Sequence, residues 1–154
     1  MNGHWAYLAV ILDLADRAIV GWTISQDMSA HSTTVAALER AVNKRKPKQE
    51  LIFHSDRGVQ YTCGEMRMAI SAIGAVQSMS RKGNCWDNAV AESFFKTIKV
   101  ECIDRHEFKN THQAWCAIFE YIESWYNTNR LHTTPKGLIV RQAYEAKMKK
   151  WAAA

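Results

Sequence analysis

The chain has 154 residues, of which 47% are hydrophobic and 23% are charged. This length and composition fit one globular domain with a substantial core, and they exclude a disordered or collagen-like chain. No apolar run approaches the roughly 18 residues needed to span a bilayer, and the amino terminus lacks the basic, apolar and small-residue order of a signal peptide. The sequence therefore predicts a cytoplasmic protein without a membrane segment.

The formal net charge of +5 is a mild basic excess that lies mainly in the second half. Residues 1–77 carry 8 basic and 7 acidic side chains, whereas residues 78–154 carry 12 and 8. This excess permits an acidic partner such as nucleic acid without requiring one. Five cations crowd one predicted helix end, where they either complement the helix dipole beside a solvated loop or contact DNA: Arg40, Lys44, Arg45, Lys46 and Lys48.

The cysteines are widely spaced. No C-x-x-C pair occurs among them, so the spacing predicts neither a zinc site nor a redox motif. We expect reduced core thiols at all four positions, which are Cys63, Cys85, Cys102 and Cys116.

In chain order, short apolar runs come first. Residues 5–12 and 18–25 predict a buried β-hairpin with a polar turn. Helical spacing from residue 29 predicts a helix that ends before Pro47. Three elements follow, which are a strand at 51–54, a helix at 63–73 and a strand at 75–78.

The second half is predicted to be mainly helical. After a polar loop at 80–88, Asp87 or Asn88 is expected to cap a helix over 89–100. Two more helices are predicted at 111–125 and about 140–151. The first carries a stripe whose spacing favours core packing over base stacking: Trp115, Ile118, Phe119, Ile122 and Trp125. The elements together predict an α/β fold, a mixed sheet flanked by helices with extra helices at the carboxyl end.

Asp56 and Glu92 are the candidate catalytic carboxylates. Asp56 ends a predicted strand and Glu92 lies within a helix, with 35 residues between them. Phosphodiester chemistry with two metal ions needs carboxylates that converge on hard divalent cations. The alternative is that Asp56 only opens a turn and Glu92 only complements a helix dipole.

The surroundings of Glu92 favour the metal interpretation. Lys96 and Lys99 follow on the same helical face, as expected where a metal site adjoins a phosphate track. Arg81 and Lys82 add two cations in the preceding loop. The alternative here is an ordinary Glu92–Lys96 surface ion pair, which is common on helices.

Three segments carry a family resemblance. They are HSDRGVQYT at 54–62, SMSRKGNCWDNAVAESFFKTIKVE at 78–101 and WYNTNRLH at 125–132, and with the hairpin WAYLAVILDLADRAIVGW at 5–22 they span nearly the whole chain. This set resembles insertion-sequence DDE transposases of the retroviral integrase superfamily. In such elements the catalytic subunit is typically made from the second of two overlapping reading frames.

The resemblance implies an RNase H-like core over 1–110, with a helical extension over 111–154 packed on it as one domain. It also implies two Mg²⁺ or Mn²⁺ ions, transposon-end and target DNA as substrates, a homo-oligomer, and association with the nucleoid when on DNA. By motif position Asp56 and Glu92 would be catalytic metal ligands, and DNA contacts would come from Lys96, Lys99, Arg81 and Lys82.

The resemblance places the first catalytic aspartate before Met1, on a central strand that we therefore expect to be missing from these residues. Asp13 is instead expected in the hairpin turn, through an Asx turn or pairing with Arg17. The strands at 5–12 and 51–54 should then lack a shared partner, and the exposed sheet edge should favour self-association. Weak metal binding and little strand transfer follow for the isolated chain.

Two alternatives stay open. One is a non-catalytic remnant that binds DNA or a full-length partner through the same four cations, and the other is an RNase H-like nuclease without transfer activity. His54 and His132 could approach the site, although lone histidines are more often structural. The segment TTPKGLIVRQAYEAK departs from the family pattern and leaves the start of the last helix open.

Overall fold

The computed structural model describes residues 5–47, 51–83, 85–131 and 140–152, and it begins with the predicted hairpin. Strand β1 (Tyr7–Leu12) pairs antiparallel with β2 (Ile19–Ser25). The observed strand β1 starts two residues later than the predicted one, since Trp5 lies before it and is 81% exposed.

Asp13 closes the hairpin turn, as the sequence predicts. Its side chain accepts the Ala15 N–H at 2.8 Å in an Asx turn, and its backbone carbonyl accepts the Arg17 N–H at 2.8 Å. Arg17 takes the left-handed conformation, with φ of 67°.

Helix α1 (Ala36–Arg45) follows a π-helical turn at His31–Val35 and lies against the hairpin. The helix ends with Lys46 in the left-handed conformation, before Pro47 as predicted. At Gly21 of β2 the approach is so close that an added Cβ would lie 2.1 Å from the Ala37 carbonyl oxygen. Only glycine allows this strand and helix to pack at that distance.

The cations at the end of α1 bind partners within the chain. Three of them do so directly: Arg40 Nη1 donates to the Trp22 carbonyl at 2.9 Å, Lys44 Nζ lies 2.8 Å from Glu123, and Arg45 Nη2 lies 2.6 Å from the buried Asp16. These three side chains therefore fasten α1 to its neighbours, a role that neither sequence interpretation included. Lys48 lies outside the described residues.

A crossover unit follows the hairpin and α1. Strand β3 (Ile52–Ser55) leads through α2 (Val59–Thr62) and α3 (Gly64–Ala72) to β4 (Val76–Met79), which pairs parallel with β3. In the part of the chain that the structure describes, β1–β2 and β3–β4 form two separate two-stranded sheets. The first and third strands thus lie in different sheets of the described residues, and the missing central strand stays a prediction.

The remaining described elements are helical. A 3₁₀ turn at Cys85–Asn88 interrupts the predicted loop and precedes α4 (Ala89–Glu101), and a second 3₁₀ turn occupies Ile103–Arg105. Helix α5 (Thr111–Phe119) continues as a π-helical turn, Glu120–Tyr126, and α6 (Val140–Ala152) comes last. No helix in the described segments has the length and apolar character that crossing a bilayer demands.

The largest core cluster joins the hairpin to α4 and α5. Phe94 and Ile98 of α4 pack with Ile118 and Ile122 and with Trp22 of β2. A second, smaller cluster joins α1 to β3 and α3. A third cluster joins Val140 of α6 to the hairpin and α1. This third connection is extended by Arg45, whose guanidinium carbon lies 4.3 Å from the Tyr144 ring centre.

The aromatic stripe of α5 is only partly buried, so this prediction was half wrong. Ile118 and Ile122 are buried, but Trp115 and Phe119 remain 38% and 42% exposed and stack on each other at 5.1 Å. Trp125 is 49% exposed. Helical spacing identified the correct face, but the aromatic rings lie at its rim.

Candidate functional site

Asp56 follows β3 directly and is exposed. Its Oδ1 accepts the Gly58 N–H at 2.8 Å, and the Ser55 hydroxyl donates to its carbonyl at 2.9 Å. Burial raises the pKa of the nearby Tyr61 hydroxyl, and the Asp56 charge adds to that increase. The short apolar strand and the turn after it thus fix one carboxylate at the carboxyl end of the parallel sheet.

His54 joins the two parallel strands at the same edge. Its Nδ1 lies 2.9 Å from the Ser78 hydroxyl and its Nε2 lies 3.2 Å from the Ser80 hydroxyl. Arg57 Nε adds a bond of 2.9 Å to the Ser80 carbonyl. Since both ring nitrogens have partners, the histidine serves the strand connection. His132 lies outside the described residues.

Arg81 and Asp87 bind each other across the loop that leads from β4 to α4, and this pair is called the Arg81–Asp87 brace. The Asp87 carboxylate accepts three hydrogen bonds from Arg81, at 2.9 Å from the backbone N–H and at 3.1 Å from both Nε and Nη2. These bonds lower the pKa of Asp87 to about 2, and the charge of His54 contributes to the shift. Ser80, at the start of this loop, contacts both His54 and Arg57, so the loop begins at the β3–β4 edge that carries Asp56.

The predicted helix cap was right in its position, at Asn88, but wrong in its hydrogen bond. Asn88 occupies the cap position of α4 without a side-chain hydrogen bond, and Asp87 is used by Arg81 instead. The competing partner, Arg81, offers two guanidinium donors and its backbone N–H, which together outweigh one exposed backbone N–H of the helix. Trp86, next to the brace, is 82% exposed.

Glu92, Lys96 and Lys99 are all exposed on α4. Lys99 Nζ lies 2.7 Å from Asp104, so this cation already has a partner. Within the described ranges, neither Glu92 nor Lys96 takes part in an ion pair, and the same holds for the exposed Lys82. The Glu92–Lys96 surface pair is therefore not formed. Of the four predicted DNA-contact residues, Arg81 and Lys99 form ion pairs, whereas Lys82 and Lys96 form none with the part of the chain that the structure describes.

Comparison with known proteins identifies the family. Two family models, each described as an integrase core domain, match residues 1–85 and 74–138. The chain belongs to the integrase core domain family. The resemblance to transposases of insertion sequences is confirmed by curated relatives.

Two relatives represent these transposases. The transposase for insertion sequence element IS904 of Lactococcus lactis is 44% identical over 127 residues, which are 82% of this chain and 50% of the relative. The transposase InsF for insertion sequence IS3A of Escherichia coli is 41% identical over 138 residues, which are 90% of this chain and 48% of the relative. The chain thus spans about half the length of these relatives.

Solved structures confirm the RNase H-like α/β fold class. The catalytic core domain of BIV integrase matches with a TM-score of 0.63 at 13% identity, over 96% of this chain and 93% of that one. A chain of the simian T-cell lymphotropic virus intasome, solved in complex with the PP2A regulatory subunit B56 gamma, matches with a TM-score of 0.66 at 14% identity, over 88% and 47%.

The donor atoms of this integrase core suit a hard cation in kind but are few in number. Asp56 and Glu92 offer exposed carboxylate oxygens, the ligands that Mg²⁺ prefers. Among the described residues, no three or more His, Cys, Asp or Glu side chains gather closely enough to hold a metal ion. Two carboxylates alone would not complete such a ligand set, and their role as metal ligands stays a prediction.

The motif at 125–132 has a structural role that the sequence did not reveal. Asn127 accepts the Ile19 N–H and donates to the Ile19 carbonyl, both at 2.9 Å. Arg130 lies 2.9 Å from Glu101 on α4, and the Tyr121 hydroxyl donates to the same carboxylate at 2.7 Å. The motif was visible in the sequence. Its binding partners, Ile19 and Glu101, could not be identified because they lie far from it along the chain.

The cysteines differ in burial, whereas the sequence predicted that all of them lie in the core. Cys102 is buried and Cys63 is half-buried, but Cys116 is exposed. The expectation of a core thiol was therefore wrong for Cys116. The reason is its place on the outer face of α5, four residues after the exposed His112.

Proposed function

We propose that this chain forms part of the catalytic core of a DDE transposase, which cleaves DNA phosphodiester bonds and transfers 3′-hydroxyl ends with divalent metal ions. One observation carries the proposal. In a chain of the integrase core family, the exposed Asp56 lies at the sheet edge where the Arg81–Asp87 brace holds the loop leading to Glu92.

Asp56 and Glu92 would hold Mg²⁺ or Mn²⁺ together with a third carboxylate, which the family resemblance puts before Met1. A bound cation would lower the pKa of the attacking water or 3′-hydroxyl and neutralise the leaving oxygen. The contribution of the protein is to position the two carboxylates. The Gly58 N–H orients the Asp56 carboxylate, and the rigid helix α4 presents Glu92. No protein nucleophile is required.

The lysines would bind the DNA backbone. The ion pairs that they already form predict how much each lysine contributes to that binding. Lys82 and Lys96 form no ion pair among the described residues and can reach a phosphate without breaking one there, whereas Lys99 must first leave Asp104. We expect Lys96→Gln to weaken DNA binding more than Lys99→Gln does. Each lost phosphate contact should reduce the slope of log affinity against log salt by about 0.9.

Fluorescence anisotropy with labelled duplex at several salt concentrations measures this ranking. Lys109→Gln, an exposed lysine after α4, is the matched control and should leave the slope unchanged. Equal slopes for Lys96→Gln and Lys109→Gln would remove Lys96 from the DNA surface.

The catalytic proposal is tested in a chimera. The part of the Lactococcus lactis IS904 transposase that precedes the region matching this chain is fused before Met1, and joining of labelled transposon-end DNA is assayed with Mg²⁺. Asp56→Asn and Glu92→Gln should each lower joining roughly 100-fold or more, because each ligand helps to hold a cation worth several kcal/mol. Asp13→Asn is the control and should retain activity. Joining that survives Asp56→Asn or Glu92→Gln would refute their roles.

Residues 1–154 alone should bind metal weakly and join little DNA. Efficient Mg²⁺-dependent joining by this chain would contradict that expectation. A chimera that cuts but never joins would favour the nuclease alternative, and an inactive chimera with salt-dependent DNA binding would favour the non-catalytic remnant. The same proposal includes a homo-oligomer that associates with the nucleoid through DNA.

A further inference from the structure

A histidine and a cysteine form a close pair on the outer face of α5. His112 and Cys116 are four residues apart, so they project from the same side of the helix, and both are exposed. The distance between His112 Nε2 and Cys116 Sγ is 3.6 Å. Without a metal this is a weak hydrogen bond between a thiol and an imidazole.

We propose that this pair is a surface site for a borderline divalent cation such as Zn²⁺. A tetrahedral zinc ion with a Zn–S bond of ~2.3 Å and a Zn–N bond of ~2.05 Å separates its sulfur and nitrogen ligands by ~3.6 Å. The two side chains already have this separation. Zinc-binding helices in other proteins use the same spacing of four residues to put two ligands on one face.

The site differs in chemistry from the carboxylates at the β3–β4 edge. Thiolate and imidazole select Zn²⁺ and similar ions, whereas carboxylates suit Mg²⁺ and Mn²⁺. No third His, Cys, Asp or Glu joins the pair in the described part of the chain, so water would complete the coordination. Binding transfers the thiol proton to solvent as the sulfur–metal bond forms. The inference does not depend on the proposed DNA chemistry.

Cobalt substitution tests the site in the 154-residue protein. Co²⁺ should bind one ion per chain and produce the near-ultraviolet charge-transfer band of a cobalt–thiolate bond. Cys116→Ser should abolish the band, and His112→Ala should weaken binding by at least about tenfold, since loss of even an outer partner of a metal ligand costs about that factor.

The matched controls are Cys63→Ser and His31→Ala. Cys63 is half-buried at the start of α3, and His31 is an exposed histidine whose Nδ1 lies 3.2 Å from Glu65. Both variants should keep the band. A band that persists in Cys116→Ser, or that is lost in Cys63→Ser, would overturn the assignment.

A second readout uses the unmutated protein and so does not depend on the folding of any variant. Zn²⁺ should slow alkylation of Cys116, read by peptide mass mapping, while Mg²⁺ at the same concentration should not. Alkylation of Cys63 serves as the internal control. An equal alkylation rate of Cys116 with and without Zn²⁺ would also overturn the site.

Discussion

Asn127 takes the place of a strand neighbour for the first residue of β2. Its side-chain amide both accepts from and donates to the Ile19 backbone, so it satisfies two backbone polar groups of a buried residue. Three residues later, Arg130 binds Glu101. At the scale of single residues, the motif at 125–132 therefore ties the end of α5 to the hairpin and to α4.

Glu101→Gln should destabilise the fold by about 1–2 kcal/mol. The charged hydrogen bonds from Arg130 and Tyr121 would be lost from a site that is only partly exposed. Urea unfolding at neutral pH measures the change. Glu107→Gln, at an exposed position after α4, should stay within about 0.5 kcal/mol of the unmutated protein.

The contribution of Glu101 to the free energy of unfolding should also depend on pH. Hydrogen bonding from Arg130 lowers the pKa of Glu101 below its ordinary value of 4.5. The stabilisation is therefore complete above pH 4.5 and is lost as pH falls through the lowered pKa. The difference between the unmutated protein and Glu101→Gln should shrink in acid, and a constant difference would contradict the pairing.

At the scale of elements, the loop before α4 is closed by its own two ends. Arg81 donates three hydrogen bonds to the Asp87 carboxylate across the intervening turn. Gly83 takes φ of 76° there, a conformation that suits glycine. The brace orders a loop that also presents the exposed Trp86.

Asp87→Asn should open this loop. Trypsin should then cut after Arg81 and Lys82 about two- to fivefold faster, in line with the modest strength of an exposed ion pair. Asp104→Asn releases Lys99 outside the loop and is the control. Equal cleavage rates in the two variants would argue against the brace.

The same brace predicts an acid titration. Because the pKa of Asp87 is lowered from 3.8 to about 2, the brace should be complete above pH 3.8 and be lost only as pH falls through about 2. An NMR titration of the Asp87 carboxyl carbon checks this value. A midpoint at 3.8 would mean that Arg81 does not hold the carboxylate in solution.

Gly21→Ala should destabilise the fold by at least about 3 kcal/mol, because the new methyl group would collide with the α1 backbone at Ala37 and Ala41. Urea unfolding measures the effect. Gly64→Ala, at a helix position with no atom within 4 Å of the added Cβ, is the control and should be neutral or stabilising by up to about 1 kcal/mol. Similar stability of the two variants would contradict the close packing of β2 on α1.

At the scale of the whole molecule, the sheets stay apart. The described residues contain two sheets of two strands, and two-stranded sheets leave edges without hydrogen-bond partners. On the parallel sheet, Ile52 and Val76 form a cross-strand apolar pair and are 67% and 64% exposed. Both features favour association between copies.

We therefore expect concentration-dependent self-association in sedimentation velocity. Ile52→Lys should shift the protein towards monomer, because a charge on this surface opposes pairing. Met68→Lys, at an exposed methionine of α3, is the control and should leave the distribution unchanged. A protein that stays monomeric at every concentration would contradict the expectation.

Much of the architecture could be predicted from the sequence because its signals are local. Short, almost continuous apolar runs predicted the hairpin, helical spacing predicted α1, α4 and α5, and the end of a short apolar run put Asp56 just beyond β3. The ordered motifs predicted the family, which the comparisons confirm. The roles of Asp56 and Glu92 remain predictions.

The partners of charged and polar side chains were decided only by tertiary structure. Arg81 pairs with Asp87, Lys99 pairs with Asp104, and Asn127 forms a hydrogen bond with Ile19, which lies 108 positions away in the sequence. A local pattern can identify a cation or an amide, but many partners satisfy it equally well. Which partner is used depends on how helices and strands pack, since hydrogen bonds and ion pairs require contact within a few ångströms.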